Sequence, residues 1–163
     1  MSNQSNPTLR PGARVILLDP DDRILMIRTE TDDTDPPVLW ITPGGAVEEG
    51  ESFEEAARRE MWEETGITDF ELGPCVWTRQ NVWRWGKDWY DSRERYFFSR
   101  VGQTDLTPER MEEIEILTFT GFRWWTIEEL TASDEFFVPR SFAELVAPLI
   151  AGDVPAAPIE VGE

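Results

Sequence analysis

The most informative part of the chain is residues 42–67, TPGGAVEEGESFEEAARREMWEETGI, in which a glycine-containing loop precedes a run of charged residues. Ser52, followed three residues later by Glu55, forms a capping-box pattern that predicts the start of a helix. Gly66 suits the left-handed backbone conformation that commonly ends a helix. The local sequence therefore predicts a helix over 53–64.

Several carboxylates of this helix share a face with apolar residues. At about 100° per residue, Glu60 and Glu64 fall within about 20° of Phe53, with Ala57 about 40° away and Glu63 about 80° away. A run of charges normally forms a solvated helix face, but unpaired carboxylates packed against the protein body would be costly. Hard divalent cations prefer oxygen ligands and would remove that cost. The pattern favours a metal site.

The composition of the chain excludes several catalytic mechanisms. Among 163 residues there is no His, which rules out serine–histidine triads, cysteine–histidine dyads and imidazole-bound zinc or haem. The one cysteine, Cys75, excludes an internal disulfide and a cysteine-cluster metal site. Asp and Glu number 33 against 15 Lys and Arg, for a net charge of −18. For an enzyme of this composition, carboxylates and hard cations are the expected chemical tools.

Charge and hydropathy also limit the partners. A charge of −18 repels polyanions, so we expect no nucleic acid polymer and no anionic membrane surface as a partner. The first ten residues, MSNQSNPTLR, lack the apolar centre of a signal peptide. No apolar run approaches the ~18 residues of a membrane span. We expect a cytoplasmic protein, with a homodimer left open.

The pattern along the chain predicts one domain in which strands and helices alternate. The turn signal at 19–22 separates two apolar runs that predict a hairpin. The other expected elements are strands at 75–85, 93–101 and 119–125 and short helices at 127–131 and 141–150. Residues 1–12 are expected to be flexible, and the Pro- and Ala-rich tail 152–163 to be irregular. Such an order favours a mixed sheet covered by helices.

Residues 45–67 resemble the Nudix box, the signature of the MutT-like Nudix hydrolases. The matching positions, in the pattern Gly-x5-Glu-x7-Arg-Glu-U-x-Glu-Glu-x-Gly-U with U apolar, are Gly45, Glu51, Arg59-Glu60-Met61, Glu63-Glu64 and Gly66-Ile67. The likeness extends over most of 13–150. It implies an α/β fold, an α/β/α sandwich with a mixed β-sheet, formed as a single domain by residues 13–151.

The resemblance also implies a site and a reaction. It implies Mg²⁺ or Mn²⁺ held by Glu60, Glu63 and Glu64, with the backbone carbonyl of Gly45 as a further ligand. Glu51 and Arg59 would shape and orient that site. The implied reaction is hydrolysis of a diphosphate linkage in a nucleoside diphosphate joined to another moiety, such as a nucleoside triphosphate or a sugar nucleotide.

The general base must be a carboxylate, because the chain has no His. Glu60 is one candidate within the box. Nudix enzymes also commonly use a Glu in the loop before the last strand of the sheet, where this chain has Glu112, Glu113 and Glu115. Among these, spacing relative to 123–125 in similar sequences favours Glu115.

The distribution of charge points to a substrate side. Residues 48–64 carry a net −6, whereas residues 77–100 carry +3. In the basic segment, Arg79 and Arg95 are candidates to bind phosphate, and Trp85 to stack on a base. Arg28, at the end of the second strand, is a further candidate. Packing in the core remains the alternative for each aromatic residue of the segment.

A second class of function stays open at this point, a catalytically silent Nudix-fold module that binds nucleotides. The intact box argues against it, because degenerate modules typically lack some of the carboxylates. No motif in the sequence selects one diphosphate substrate over another.

Overall fold

The computed structural model describes residues 2–102 and 119–162, in which eight strands and three helices lie. The elements are β1 Thr8–Leu18, β2 Ile24–Glu30, β3 Val38–Ile41, β4 Gly44–Ala46, α1 Phe53–Thr65, β5 Cys75–Trp85, β6 Asp88–Arg100, β7 Phe119–Trp125, α2 Ile127–Ala132, α3 Phe142–Ile150 and β8 Ile159–Val161. The expected hairpin, helices and central strands are all present.

The strands form one mixed sheet. Their order is β3-β2-β1-β6-β5-β8, with β4 paired to β1 and β7 paired to β2. The pairs β1–β6 and β5–β8 are parallel, and the others are antiparallel. Strand β1 pairs with β2 at Leu18 and Ile24, whereas nearer its start its partner is β4, from Gly12 to Arg14. The glycine loop is therefore joined directly to a central strand.

Helices cover both faces of this sheet. Because side chains alternate along a strand, Val15 and Leu17 of β1 pack with Met61 of α1, whereas Ile16 and Leu18 face the other way. The second face packs against residues of α3 that include Phe142 and Val146, and against Leu130 of α2. This arrangement confirms the predicted α/β/α sandwich with a mixed sheet. Among the helices within the described ranges, none is both long and apolar enough to cross a membrane.

The structure differs from the expectation at both ends of the chain. Residues 1–12 were expected to be flexible, yet β1 begins at Thr8 and pairs with β6 from Tyr90 onward. The tail 152–163 was expected to be irregular, yet it contributes β8, whose Ile159 pairs with Trp77. In both cases the hydrogen-bonding partner lies about eighty residues away along the chain. Local composition does not report such pairings, since they depend on the whole sheet.

Candidate active site

Helix α1 is fixed at both ends by its own sequence. The Ser52 hydroxyl accepts a hydrogen bond from the Glu55 backbone N–H at 3.0 Å. At the other end Gly66 has a φ of 75°, and its N–H donates to the Trp62 carbonyl at 2.9 Å. These caps satisfy backbone groups that a helix end leaves open. The rotation of α1 against the sheet is set by Ala56, Ala57 and Met61, which pack in the core with β1.

That rotation turns the acidic face of α1 inward, as its periodicity predicts. Glu60 is 1% exposed and Glu64 is 4% exposed, beside the fully buried Ala56 and Ala57. The Glu63 side chain is 13% exposed. Three carboxylates are thus held largely out of water, which is costly unless positive charge and hydrogen-bond donors surround them.

Arg59 supplies much of that positive charge. Its guanidinium binds both Glu51 oxygens, at 2.8 and 3.0 Å, and donates to Glu60 at 2.9 Å and Glu63 at 3.1 Å. A further N–H reaches the Ala46 carbonyl at 2.8 Å. The hydrogen bonds from Arg59 lower the pKa of Glu51 below its usual value. Arg59 therefore orients the carboxylates and ties α1 to the end of the glycine loop.

The glycine loop lies directly against these carboxylates. The Gly44 N–H donates to Glu64 Oε2 at 3.2 Å, and the φ of Gly44 is 143°, a conformation that side chains disfavour. A Cβ added at Gly45 would lie 2.5 Å from Glu60 Oε1, within the carboxylate's own space. Residue 45 can lie against α1 only because it has no side chain, and residue 44 can lie against Ala13 and Arg14 of β1 for the same reason.

The donor set suits a hard divalent cation. Glu60, Glu63 and Glu64 offer carboxylate oxygens, and Gly45 brings backbone against Glu60, which is the oxygen-rich chemistry that Mg²⁺ and Mn²⁺ prefer. Across residues 2–102 and 119–162, no group of three or more His, Cys, Asp or Glu converges as a finished metal cage. Two of these carboxylates are instead joined by Arg59, whose guanidinium bridges Glu60 and Glu63.

A cleft of about 620 Å³ opens beside the glycine loop and is lined in part by Gly44, Gly45 and Glu64. Among the described residues, the arginines of its wall are Arg10, Arg14, Arg79, Arg84 and Arg140. The acidic residues Asp33, Asp35, Glu64 and Glu94 also line it, and Glu94 forms ion pairs with Arg14 and Arg79. Such a volume fits a nucleotide-sized ligand, and the guanidinium groups suit a ligand with phosphates.

Aromatic side chains of the β5–β6 hairpin line another part of this cleft, namely Trp83, Trp85, Trp89 and Tyr90. The rings of Trp83 and Tyr90 are 5.1 Å apart, and the Trp83 indole N–H donates to Ser92 at 2.7 Å. These residues are only partly buried. By contrast Trp77, on the same strand, is 1% exposed and packs on Phe142 in the core.

The predicted substrate residues are only partly brought together. Trp85 and Arg79 line the cleft, whereas Arg28 and Arg95 do not. Ile27 and Thr29 face the cleft, so the intervening Arg28 points the other way and donates to Thr120 at 2.8 Å.

Arg95 lies on the α1 side of the sheet, because successive side chains of β6 point to opposite faces. Its guanidinium stacks 4.1 Å from the ring centroid of Phe53.

Arg79 is 6% exposed and donates to Glu94 at 3.1 Å and to the Gly162 carbonyl at 3.2 Å. Its position in the wall of the cleft is therefore fixed by protein partners. The candidate base Glu115, with Glu112 and Glu113, lies outside the described residues.

Sequence reasoning missed one group of this site, the buried pair of Arg14 and Glu94. Arg14 Nε donates to Glu94 Oε2 at 2.8 Å, and Arg14 also donates to the carbonyls of Thr42 and Gly44, each at 3.1 Å. A signal was present, since Arg14 opens the apolar run 14–18 and would face inward from a central strand. Its partner, eighty residues further on, could not be identified from that signal.

Comparison with known proteins agrees with the fold and the geometry. A model of the NUDIX domain matches residues 8–145. An RNA pyrophosphohydrolase from Caulobacter vibrioides is 32% identical over 154 residues, covering 85% of this chain and 83% of that protein. Another protein of that name, from Cereibacter sphaeroides, is 33% identical over 132 residues, covering 69% and 75%. A MutT protein from Methanosarcina mazei has a similar fold, with a TM-score of 0.66 at 18% identity over 90% of this chain and 96% of that chain.

The chain belongs to the Nudix family of MutT-like hydrolases. The expectation of a pyrophosphohydrolase that acts on phosphoanhydride bonds is confirmed at the level of that family.

Proposed function

We propose that this protein is a divalent-cation-dependent hydrolase that cleaves a diphosphate linkage in a small nucleotide, namely a nucleoside diphosphate joined to another moiety. The observation that carries the proposal is the burial of Glu60 and Glu64 against the glycine loop, at the wall of a cleft rich in arginine. The carboxylates would repel the phosphates that an arginine-rich wall attracts, and a divalent cation bound by the carboxylates would remove that repulsion.

Glu60, Glu63 and Glu64 would hold Mg²⁺ or Mn²⁺, together with the carbonyl of Gly45. When bound, such a cation neutralises phosphate charge and lowers the pKa of a bound water. Arg59 keeps the carboxylates aligned, since it contacts Glu51, Glu60 and Glu63 at once.

The proton of the attacking water would be taken by a carboxylate. We assign this role to Glu115, with Glu60 as the alternative within the box. The other end of the substrate would lie along the cleft, with phosphate oxygens facing arginines and a base against Trp85 of the β5–β6 hairpin. Arg79 would shape this wall, whereas Arg28 and Arg95 point away from the cleft and are not part of the proposed substrate contacts.

A panel assay tests the substrate class. Purified protein with Mg²⁺ or Mn²⁺ is incubated with nucleoside triphosphates, sugar nucleotides, ADP-ribose, dinucleoside polyphosphates and 5′-triphosphorylated RNA, and the products are identified. We expect turnover of a small nucleotide. The relatives named RNA pyrophosphohydrolase make the RNA arm essential. Turnover of RNA alone would overturn the expectation, based on the charge of −18, that polymers are excluded.

The double substitution Glu63→Gln/Glu64→Gln tests the cation site. We expect loss of turnover and of Mn²⁺ binding while the circular dichroism spectrum and thermal unfolding stay close to those of the wild type. Glu54→Gln/Glu55→Gln makes the same charge change on the exposed side of α1 and serves as the control. Unchanged activity of the Glu63/Glu64 variant would refute the assignment. A wild type that binds nucleotides but hydrolyses no panel member would instead favour the silent binding module.

A further inference from the structure

A buried network of arginines and one glutamate connects the glycine loop to the far strands of the sheet. Arg79 donates to the Gly162 carbonyl beyond β8 and to Glu94 Oε1, at 3.2 and 3.1 Å. The other oxygen of Glu94 accepts from Arg14 at 2.8 Å. We call these three side chains the Arg14–Glu94–Arg79 network. It spans strands β1, β6 and β5.

The network is buried enough to hold a fixed geometry. The side chains of Arg14, Glu94 and Arg79 are 16%, 9% and 6% exposed. Burial alone would raise the pKa of Glu94, but the charges of Arg14 and Arg79 and the hydrogen bond from Arg14 lower it. Glu94 therefore remains ionised, with each oxygen bound to a different arginine. A planar guanidinium in such a pair has little rotational freedom left.

The part of the Arg14 guanidinium that does not contact Glu94 faces the glycine loop. Its Nη1 donates to the carbonyls of Thr42 and Gly44, each at 3.1 Å. The N–H of the same Gly44 donates to Glu64 Oε2 at 3.2 Å. Gly44 is thus hydrogen-bonded on both sides: its carbonyl accepts from Arg14, and its N–H donates to the Glu64 carboxylate of α1. A shift of Arg14 would be transmitted through one residue to Glu64 and to its neighbour Gly45.

We propose that Arg14 is a positioning residue for the hydrolytic site, and that Glu94 and Arg79 anchor it. Arg14 acts through Gly44, whose position sets that of Gly45 and of the Glu64 carboxylate. This inference rests on the proposed function, since its purpose is the alignment of the cation site. Partners that orient metal ligands typically contribute about 10- to 100-fold to metal affinity or activity.

Three variants separate positioning from stability. Arg14→Met removes the guanidinium group and its charge. Arg14→Lys keeps a positive charge beside Glu94, but its compact ammonium group cannot reproduce the planar set of N–H donors. Arg23→Met is the matched control, because Arg23 on the same hairpin pairs with the buried Asp19 at 2.7 Å, away from the glycine loop. All three are compared in thermal unfolding, in kcat and KM, and in Mn²⁺ affinity by calorimetry.

We expect both Arg14 variants to lower kcat and Mn²⁺ affinity by about 10- to 100-fold, with a smaller change in KM. Arg14→Lys should recover most of the thermal stability lost in Arg14→Met without recovering kcat. Arg23→Met should lose stability and keep its kcat. A folded Arg14 variant with the kcat and Mn²⁺ affinity of the wild type would overturn the proposal.

Hydrogen exchange provides a readout that needs neither activity nor cation. The Gly44 amide, measured by NMR, should exchange faster in Arg14→Met and Arg14→Lys than in the wild type, and be unaffected in Arg23→Met. Unchanged Gly44 exchange in both Arg14 variants would refute the positioning role by itself. If the wild type hydrolyses nothing, the proposed function fails, while this comparison still decides whether Arg14 holds the loop.

Discussion

At the scale of single residues, the geometry of the candidate site depends on the lack of a side chain at Gly45. Gly45 lies so close to Glu60 that a Cβ would sit 2.5 Å from its Oε1. Glu60 is 1% exposed and its carboxylate is held by Arg59 at 2.9 Å, so it has little room to retreat. The position of one carboxylate is thus defined by a glycine on one side and an arginine on the other.

We predict that Gly45→Ala lowers kcat by about 10- to 100-fold, because the new methyl group displaces the Glu60 carboxylate. Because Glu60 is buried and held by Arg59, moving its carboxylate should also destabilise the fold, which thermal unfolding measures. Gly102→Ala is the control, since a Cβ there meets no described residue within 4 Å. Wild-type kinetics of Gly45→Ala would show that the contact with Glu60 does not matter for the reaction.

At the scale of elements, helix α1 carries most of the site and contains its own start and stop signals. The Ser52 cap and the left-handed Gly66 are local features, and they are where the sequence predicts them. The inward direction of Glu60 and Glu64 follows from helical periodicity once these ends are set. This part of the site could be predicted because every interaction involved spans only a few residues.

We predict that Ser52→Ala destabilises the protein by about 1 kcal/mol, because the Glu55 N–H loses its acceptor. For a domain of this size the melting temperature should fall by about 2–4 °C. Ser52→Asp should retain most of the stability, since Asp is an equally good N-cap. Urea unfolding of the three proteins measures the effect, and equal midpoints for all three would contradict the prediction.

At the scale of the whole molecule, strands distant in sequence meet through the Arg14–Glu94–Arg79 network. Glu94 lies between two arginines from different strands, and its pKa is lowered although burial alone would raise it. A carboxyl group with a lowered pKa stabilises the folded state above its unfolded pKa of about 4.3. That contribution is lost as the pH falls through the folded pKa.

We predict that Glu94→Gln lowers the free energy of unfolding at pH 7 by about 3–5 kcal/mol, because two buried arginines lose their counter-charge. As the pH falls below about 4.3, the Glu94 carboxyl of the unfolded wild-type chain takes up a proton before that of the folded protein, so the difference between the two proteins should narrow until the lowered folded pKa is passed. Urea unfolding at pH 7 and pH 3 measures both differences. A difference that stays constant between the two pH values would show that Glu94 does not carry this effect.

The chemistry of the site was far more predictable than its surroundings. The spacing of Gly45 and the acidic residues identified the family, and the hairpin and helices followed from turn signals and caps. Arg28 and Arg95 were chosen for their charge, but the alternation of β2 and β6 directs both away from the cleft. Arg79 does line the cleft, where hydrogen bonds to Glu94 and Gly162 hold it in place. Alternation along a strand divides its residues between two faces of the sheet. Which of these faces lines the cleft depends on the elements packed around the sheet, and the sequence of the strand does not specify it.

The sequence by itself determined helix α1 and the carboxylates that it presents, because capping and periodicity act between near neighbours. It also leaves a carboxylate as the proposed base, since the chain has no His. Only the tertiary structure decided that β1 starts at Thr8, that β8 forms at the end of the chain, and that Arg14 reaches Gly44. These features join residues that are thirty to eighty positions apart or more, and their energy comes from sheet pairing and burial that exist only once the whole chain is folded.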